Sequence, residues 1–139
     1  MNPNPINAYR QTRVKTASQG KLIVMLYDEA IRQIELATQL LGDGGISYDR
    51  VNDAIGKAQD IVTELTVSLD LENGGEIAQN LFRLYRFFNN QLVEANFKKD
   101  PQPLENVRSF LVDLRDAWKE VADKSYGPER TTTGVNISS

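Results

Sequence analysis

LDLENGGEIAQNLFRLYRFF, residues 69 to 88, decides the fold. Two adjacent glycines, Gly74 and Gly75, separate two long apolar runs with helical spacing. Glycine enters the positive-φ region without a Cβ clash, so it suits a tight reversal between helices. The spacing therefore predicts one long helix ending before Asn73 and another starting at about Gly75. The second run is unusually oily: Leu81, Phe82, Leu84, Tyr85, Phe87 and Phe88 fall within eight positions.

Working outward, the helix before the hairpin starts near Tyr48. Its seam is Val51, Ile55, Ala58, Val62, Leu65 and Leu69, spaced 4, 3, 4, 3 and 4, the pattern of a bundle helix. The helix after it runs to Lys98 or Lys99, with the seam Ile77, Leu81, Leu84, Phe88, Leu92 and Ala95. Glu76 at its start and the lysines at its end complement the helix dipole. A preceding helix starts within TASQGK, where Thr16 and Gln19 fit a capping box and Ser18 competes as N-cap. Its positions Ile23, Leu26, Ala30, Ile34, Ala37 and Leu41 face one way. A second stripe, with Leu22, Met25, Tyr27 and Ile31, widens the apolar arc, and Gly42 ends it. A last helix follows Asp100-Pro101-Gln102-Pro103, where proline suits a first turn. Its seam is Leu104, Val107, Leu111, Leu114, Trp118 and Val121, with Trp118 read as core.

Four helices of about 20 to 25 residues, each about 30 to 35 Å long, joined by short links, predict an all-α, antiparallel up-down-up-down four-helix bundle. A flexible N-terminal arm or cap is expected over 1–15, the bundle over 16–126 and a disordered tail over 127–139. The chain is 139 residues long, enough for one core. Four seams do not use all the apolar side chains. Phe82, Tyr85 and Phe87 lie off the third seam, as Met25, Tyr27 and Ile31 lie off the first. Some of this excess widens the core; the sharper expectation is an apolar groove that receives another chain.

Composition excludes several chemistries. There is neither cysteine nor histidine, so disulfides, thiol chemistry and the commonest general base and metal ligand are all missing. A di-metal carboxylate site of the bundle type needs Glu-x-x-His pairs, and the seams carry no acids. Asp70 to Leu81 aligns poorly with a calcium loop, because Leu81 stands where the bidentate glutamate belongs. Gly42, Gly44 and Gly45 lack the lysine and the preceding strand of a phosphate cradle. Asp28 with Glu29, and Asp113 with Asp116, read as solvated helix-face charges. No enzyme, cofactor or metal is expected. Net charge is −3, which disfavours a nucleic-acid partner. Residues 1 to 21 carry Arg10, Arg13, Lys15 and Lys21 and no acid, so the remainder carries −7 to reach the net −3. Such an arm suits an acidic partner or an anionic lipid surface, or is a solvated leader. MNPNPINAYRQ has no apolar signal region and no run reaches membrane-spanning length, so a cytoplasmic protein without stable membrane insertion is expected.

Three stretches resemble one family, the FliS flagellin-export chaperones. TASQGKLIVMLYDEAI (16 to 31) is similar to that family's opening helix, LDLENGGEIAQNLFRLY (69 to 85) to its central hairpin and LRDAWKEV (114 to 121) to its last helix; Ile6-Asn7-Ala8-Tyr9 resembles its N-terminal I-x-A-Y. Three departures stand out. Gln19 replaces a usual proline, Glu29 a usual glycine, and Arg86-Phe87-Phe88 a more acidic or tyrosine-containing run. The resemblance implies a chaperone that binds the disordered C-terminal segment of flagellin, prevents premature polymerisation and supports type III flagellar export. It also implies an export-gate component or flagellar regulator as a further partner. The expected client-binding residues are Leu22, Met25, Tyr27, Ile31, Phe82 and Tyr85, with Ile6 and Tyr9 of the arm folding over the groove when no client is bound. The alternative is a non-enzymatic helical adaptor that oligomerises through its excess apolar surface.

Overall fold

The computed structural model describes residues 19–44 and 48–125. The expected caps at Thr16 and Ser18, the arm with Ile6 and Tyr9, and the 127–139 tail lie outside these residues. Four helices follow in order: α1 Gln19–Gly42, α2 Tyr48–Val67, α3 Gly75–Lys98 and α4 Pro101–Ser125. The described residues contain no strand.

Two compact units share this chain. All four helices contribute to the larger one, Leu26–Asp113. Cross-helix contacts within it fix the helix directions. The Lys99 ammonium, beyond the end of α3, bonds Asn52 in the second turn of α2 and lies 5.4 Å from the centre of the Tyr48 ring. Asn106 of α4 donates to Gln91 of α3 at 3.3 Å, and Phe110 meets Phe87. α2 and α3, and α3 and α4, therefore run antiparallel, as short links require. Val51, Ile55, Ala58 and Val62 of α2, Phe88, Leu92 and Ala95 of α3, and Leu104, Val107 and Leu111 of α4 are all fully buried. The smaller unit contains, among the described residues, 19–25 of α1 and 114–125 of α4. Leu22, Ile23 and Ala122 are buried there.

The α2–α3 turn is built as its residues dictate. Asp70 is the staple. Its carboxylate accepts from the Asn73 N–H and from the Asn73 side-chain amide, each at 3.1 Å, and its carbonyl accepts from the Gly74 N–H at 2.8 Å. Gly74 has no room for a side chain: a Cβ there would come within 2.5 Å of the Asp70 carbonyl oxygen and 2.6 Å of the Ala78 Cβ. Gly75 has φ +67°, the left-handed region that penalises any Cβ. The two glycines do different jobs, one for space and one for φ. At the other end of α3, Lys99 takes the left-handed position itself, at φ 52°, and closes the helix through its N–H to the Ala95 carbonyl. Asp100 then caps α4, accepting from the Gln102 N–H at 2.9 Å, with Pro101 in the first helical position.

Several seam assignments shift. On α3 the buried residues are Ala78, Tyr85, Phe88, Leu92 and Ala95. Leu81 and Leu84 are half-buried and Ile77 is 72% exposed. Tyr85, placed off the seam by spacing, is core. It lies three positions before Phe88 and seven before Leu92, on the stripe that is buried, and a polar contact satisfies its hydroxyl there. The Tyr85 and Tyr27 hydroxyls lie 2.5 Å apart, both side chains fully buried. α2 stops at Val67, which leaves Leu69 half-buried in the turn. Leu40 rather than Leu41 is buried near the end of α1. On α4, Leu114 and Trp118 are half-buried and Val121 is exposed, while Ala122 is buried.

Candidate functional site

The opening helix of the expected client surface does not present what its spacing suggested. Leu22, Tyr27, Ile31 and Tyr85 are all buried, at 7% exposure or less. The stripe thought to line a groove is core on three of its four members, and only Met25 is exposed. Phe82 is half-exposed. Ile6 and Tyr9 lie outside the described residues.

The exposed apolar surface is elsewhere, chiefly on α3 and α4. Within Leu26–Asp113, Phe87, Phe97 and Phe110 are 40%, 86% and 46% exposed. Single exposed apolar residues are ordinary, but grouped aromatics on neighbouring helices are not. Phe82, Val93 and Phe97 recur at spacings of 11 and 4, which places them along one stripe of α3. The Asn89 side-chain oxygen on the same helix is buried without a hydrogen-bond partner. Phe87 faces a different way. Its ring meets Phe110 edge-on, 6.1 Å between centroids and 83° between planes. Phe110 also lies 5.9 Å from the buried Phe88 ring. The Phe87 and Phe110 rings form one wall of an open groove of about 510 Å³, completed by Glu105, Asn106, Ser109 and Asp113. A smaller cleft of about 190 Å³ lies within the second unit, lined by Lys21, Val24, Met25, Lys119, Ala122 and Asp123.

The helix α3 carries both duties. α3 buries Tyr85, Phe88 and Leu92 on one side while Phe82, Phe87, Val93 and Phe97 reach solvent to differing degrees. This accounts for the oiliness of the quoted stretch. The Arg86-Phe87-Phe88 departure divides accordingly, with Arg86 exposed, Phe87 in the groove and Phe88 in the core. Glu29, the other notable departure, is held by Arg32 through two bonds of 3.0 and 2.6 Å and by Gln33 at 2.9 Å. The Arg32 bond is the main reason its carboxyl sits below the usual range, against a smaller opposing effect of burial.

Sequence spacing missed the α3–α4 groove because Phe110 falls off the α4 seam and Phe87 off the α3 seam. The shared signal was available: both are large aromatics on the faces that antiparallel α3 and α4 turn toward a common edge. Among the described residues, no group of three acidic side chains is placed to hold a metal ion. No helix there is long and apolar enough to cross a membrane.

The comparisons with known proteins agree on one family. The family model "Flagellar protein FliS" matches residues 2–125. The flagellar secretion chaperone FliS of Bacillus subtilis is 36% identical over 132 residues, covering 95% of this chain and 96% of that protein. The protein of that name from Vibrio cholerae is 31% identical over 134 residues, covering 94% and 97%. The one from Salmonella typhimurium is 36% identical over 125 residues, covering 86% and 91%. On this agreement along nearly its whole length, the chain belongs to the FliS family of flagellar proteins.

Proposed function

We propose that this chain is a cytoplasmic, non-enzymatic export chaperone that holds the disordered C-terminal region of flagellin on apolar grooves of its helical bundle. Bound there, the flagellin segment is unavailable for polymerisation and stays extended enough for type III flagellar export. The observation that carries this reading is the set of exposed aromatics on α3 and α4, Phe87, Phe97 and Phe110, in a chain of the FliS family. Segments that fold as they bind need apolar surface to offset their ordering. Met25 and Phe82 remain in the proposed client surface. Leu22, Tyr27, Ile31 and Tyr85 support it from the core, and Ile6 and Tyr9 act as its cover when no client is present.

The direct functional test is flagellin polymerisation. Equimolar chaperone is expected to keep purified flagellin from the same organism monomeric in a light-scattering assay, and Phe87→Ala with Phe110→Ala to weaken that protection. Normal filament growth in the presence of excess wild-type protein would refute the reading.

A further inference from the structure

The groove between α3 and α4 has a composition that selects its occupant. Its apolar wall is two partly exposed phenyl rings, and its polar wall is Glu105, Asn106, Ser109 and Asp113, with no lysine or arginine. Most of the polar wall is already engaged. Both Glu105 carboxylate oxygens accept from Arg108, at 3.0 and 2.9 Å. Asn106 donates to Gln91 and accepts from Gln102. Asp113 is different: no hydrogen bond or ion pair holds it among the described residues. It follows Phe110 by three positions, so the carboxylate and the exposed ring are neighbours on one face of α4.

An uncommitted carboxylate beside two exposed aromatic rings is a cation-binding arrangement. A purely aliphatic side chain would cover the rings and leave Asp113 desolvated without a partner. An acidic side chain would meet Asp113 with like charge. A basic side chain satisfies both walls, through attraction to the ring faces and an ion pair with the carboxylate. The planar guanidinium stacks on rings and forks onto carboxylates better than an ammonium does. A second copy of this chain, paired through the same groove, would set Asp113 against its own image.

We infer that the α3–α4 groove docks an amphipathic helical segment of the client by one arginine, whose guanidinium lies on the open face of one ring of the Phe87–Phe110 pair and pairs with Asp113. The source of the segment rests on the chaperone reading; the charge preference of the groove does not. The groove thus sets the register of the client by a single charged anchor among apolar contacts, and Phe87 and Phe110 are its specificity-determining side chains.

The test uses the full chain and two synthetic helical peptides that differ at one position. Each is rich in alanine, has leucines along one face and carries one central arginine or its neutral isostere citrulline. Binding is followed by amide chemical shifts. The arginine peptide is expected to move signals of Phe87, Phe110 and Asp113 and to bind about tenfold tighter than the citrulline peptide, with the difference shrinking at high salt. Asp113→Asn, an exposed and conservative change, is expected to bring the two affinities together while leaving the fold intact. Equal affinities on the wild type, shifts centred away from the groove, absence of binding, or self-association through this face would each overturn the inference. A flagellin C-terminal peptide is titrated in parallel. If it binds while the arginine and citrulline peptides do not differ, the anchor falls and the chaperone reading stands. If it fails while the arginine peptide seats in the groove, the anchor stands and the chaperone reading falls.

Discussion

At the scale of single residues, the most consequential contact is the buried hydroxyl pair of Tyr27 and Tyr85, 2.5 Å apart. A buried hydroxyl deprived of its partner costs about 1–3 kcal/mol, whereas removing both partners is nearly neutral. Tyr27→Phe is therefore expected to lower stability by about that amount in urea unfolding, with the Tyr27→Phe, Tyr85→Phe double variant recovering most of it. Additive losses would show that the two hydroxyls act independently. Burial, opposed in part by the Tyr27 hydrogen bond, raises the Tyr85 pKa. A raised phenol contributes stability that is complete below the unfolded value of about 10 and is lost as pH rises through the folded value. Wild-type protein is accordingly expected to lose stability above pH 10 more steeply than Tyr85→Phe, measured by thermal unfolding across that range. Both tyrosines stood outside the expected seams, among the surplus of which some was expected to widen the core. Tyr85 sits one position beyond the expected seam residue Leu84, and a hydroxyl counts against burial until its partner is known. Asp113 was read as a solvated charge and it is exposed; what spacing along α4 could not show is that Phe87 of another helix lines the same groove.

At the scale of the elements, the α2–α3 hairpin was the most legible part of the chain, because its signal is local. Gly74, Gly75 and Asp70 act within a few residues of one another, and no distant contact is needed to choose their conformation. Gly74→Ala is expected to cost about 1–3 kcal/mol, since the added Cβ meets backbone at Asp70 that cannot step aside. Gly75→Ala forces a Cβ into positive φ, for about 1–2 kcal/mol. Denaturant midpoints unchanged by either substitution would show that the turn tolerates a different conformation. The Asp70 carboxyl is held below its ordinary value chiefly by the Asn73 N–H, then by the Asn73 side chain. Its contribution is present above the unfolded pKa of about 3.9 and disappears as pH falls through the lower folded value. The stability advantage of wild type over Asp70→Asn should thus shrink below about pH 4 in acid-unfolding curves. Helix register was less legible than helix existence. Ile77 fits the α3 period yet is 72% exposed, since it lies in the first turn, where a matching period does not ensure that another helix covers it.

At the scale of the whole molecule, the helical pattern and the absence of histidine and cysteine were enough to expect a bundle and to set aside the common catalytic chemistries. The placement of the client surface was not readable in the same way. Spacing shows that a helix has surplus apolar faces, but which face is core depends on neighbours that only the tertiary structure supplies. On α1 the surplus went inward, as Leu22, Tyr27 and Ile31; on α3 and α4 part of it stayed outside, as Phe87, Phe97 and Phe110. That outward share is the basis for a client-holding role. Removing Phe87 and Phe110 together should weaken flagellin binding by about 10- to 100-fold if they are anchors in a well-packed interface. The most direct test is calorimetric titration of the full chain with a C-terminal flagellin peptide from the same organism, at two or more temperatures. One-to-one binding with a large negative heat-capacity change, the mark of a segment folding onto apolar surface, is the predicted result. No heat at any temperature together with no co-elution would contradict the chaperone account.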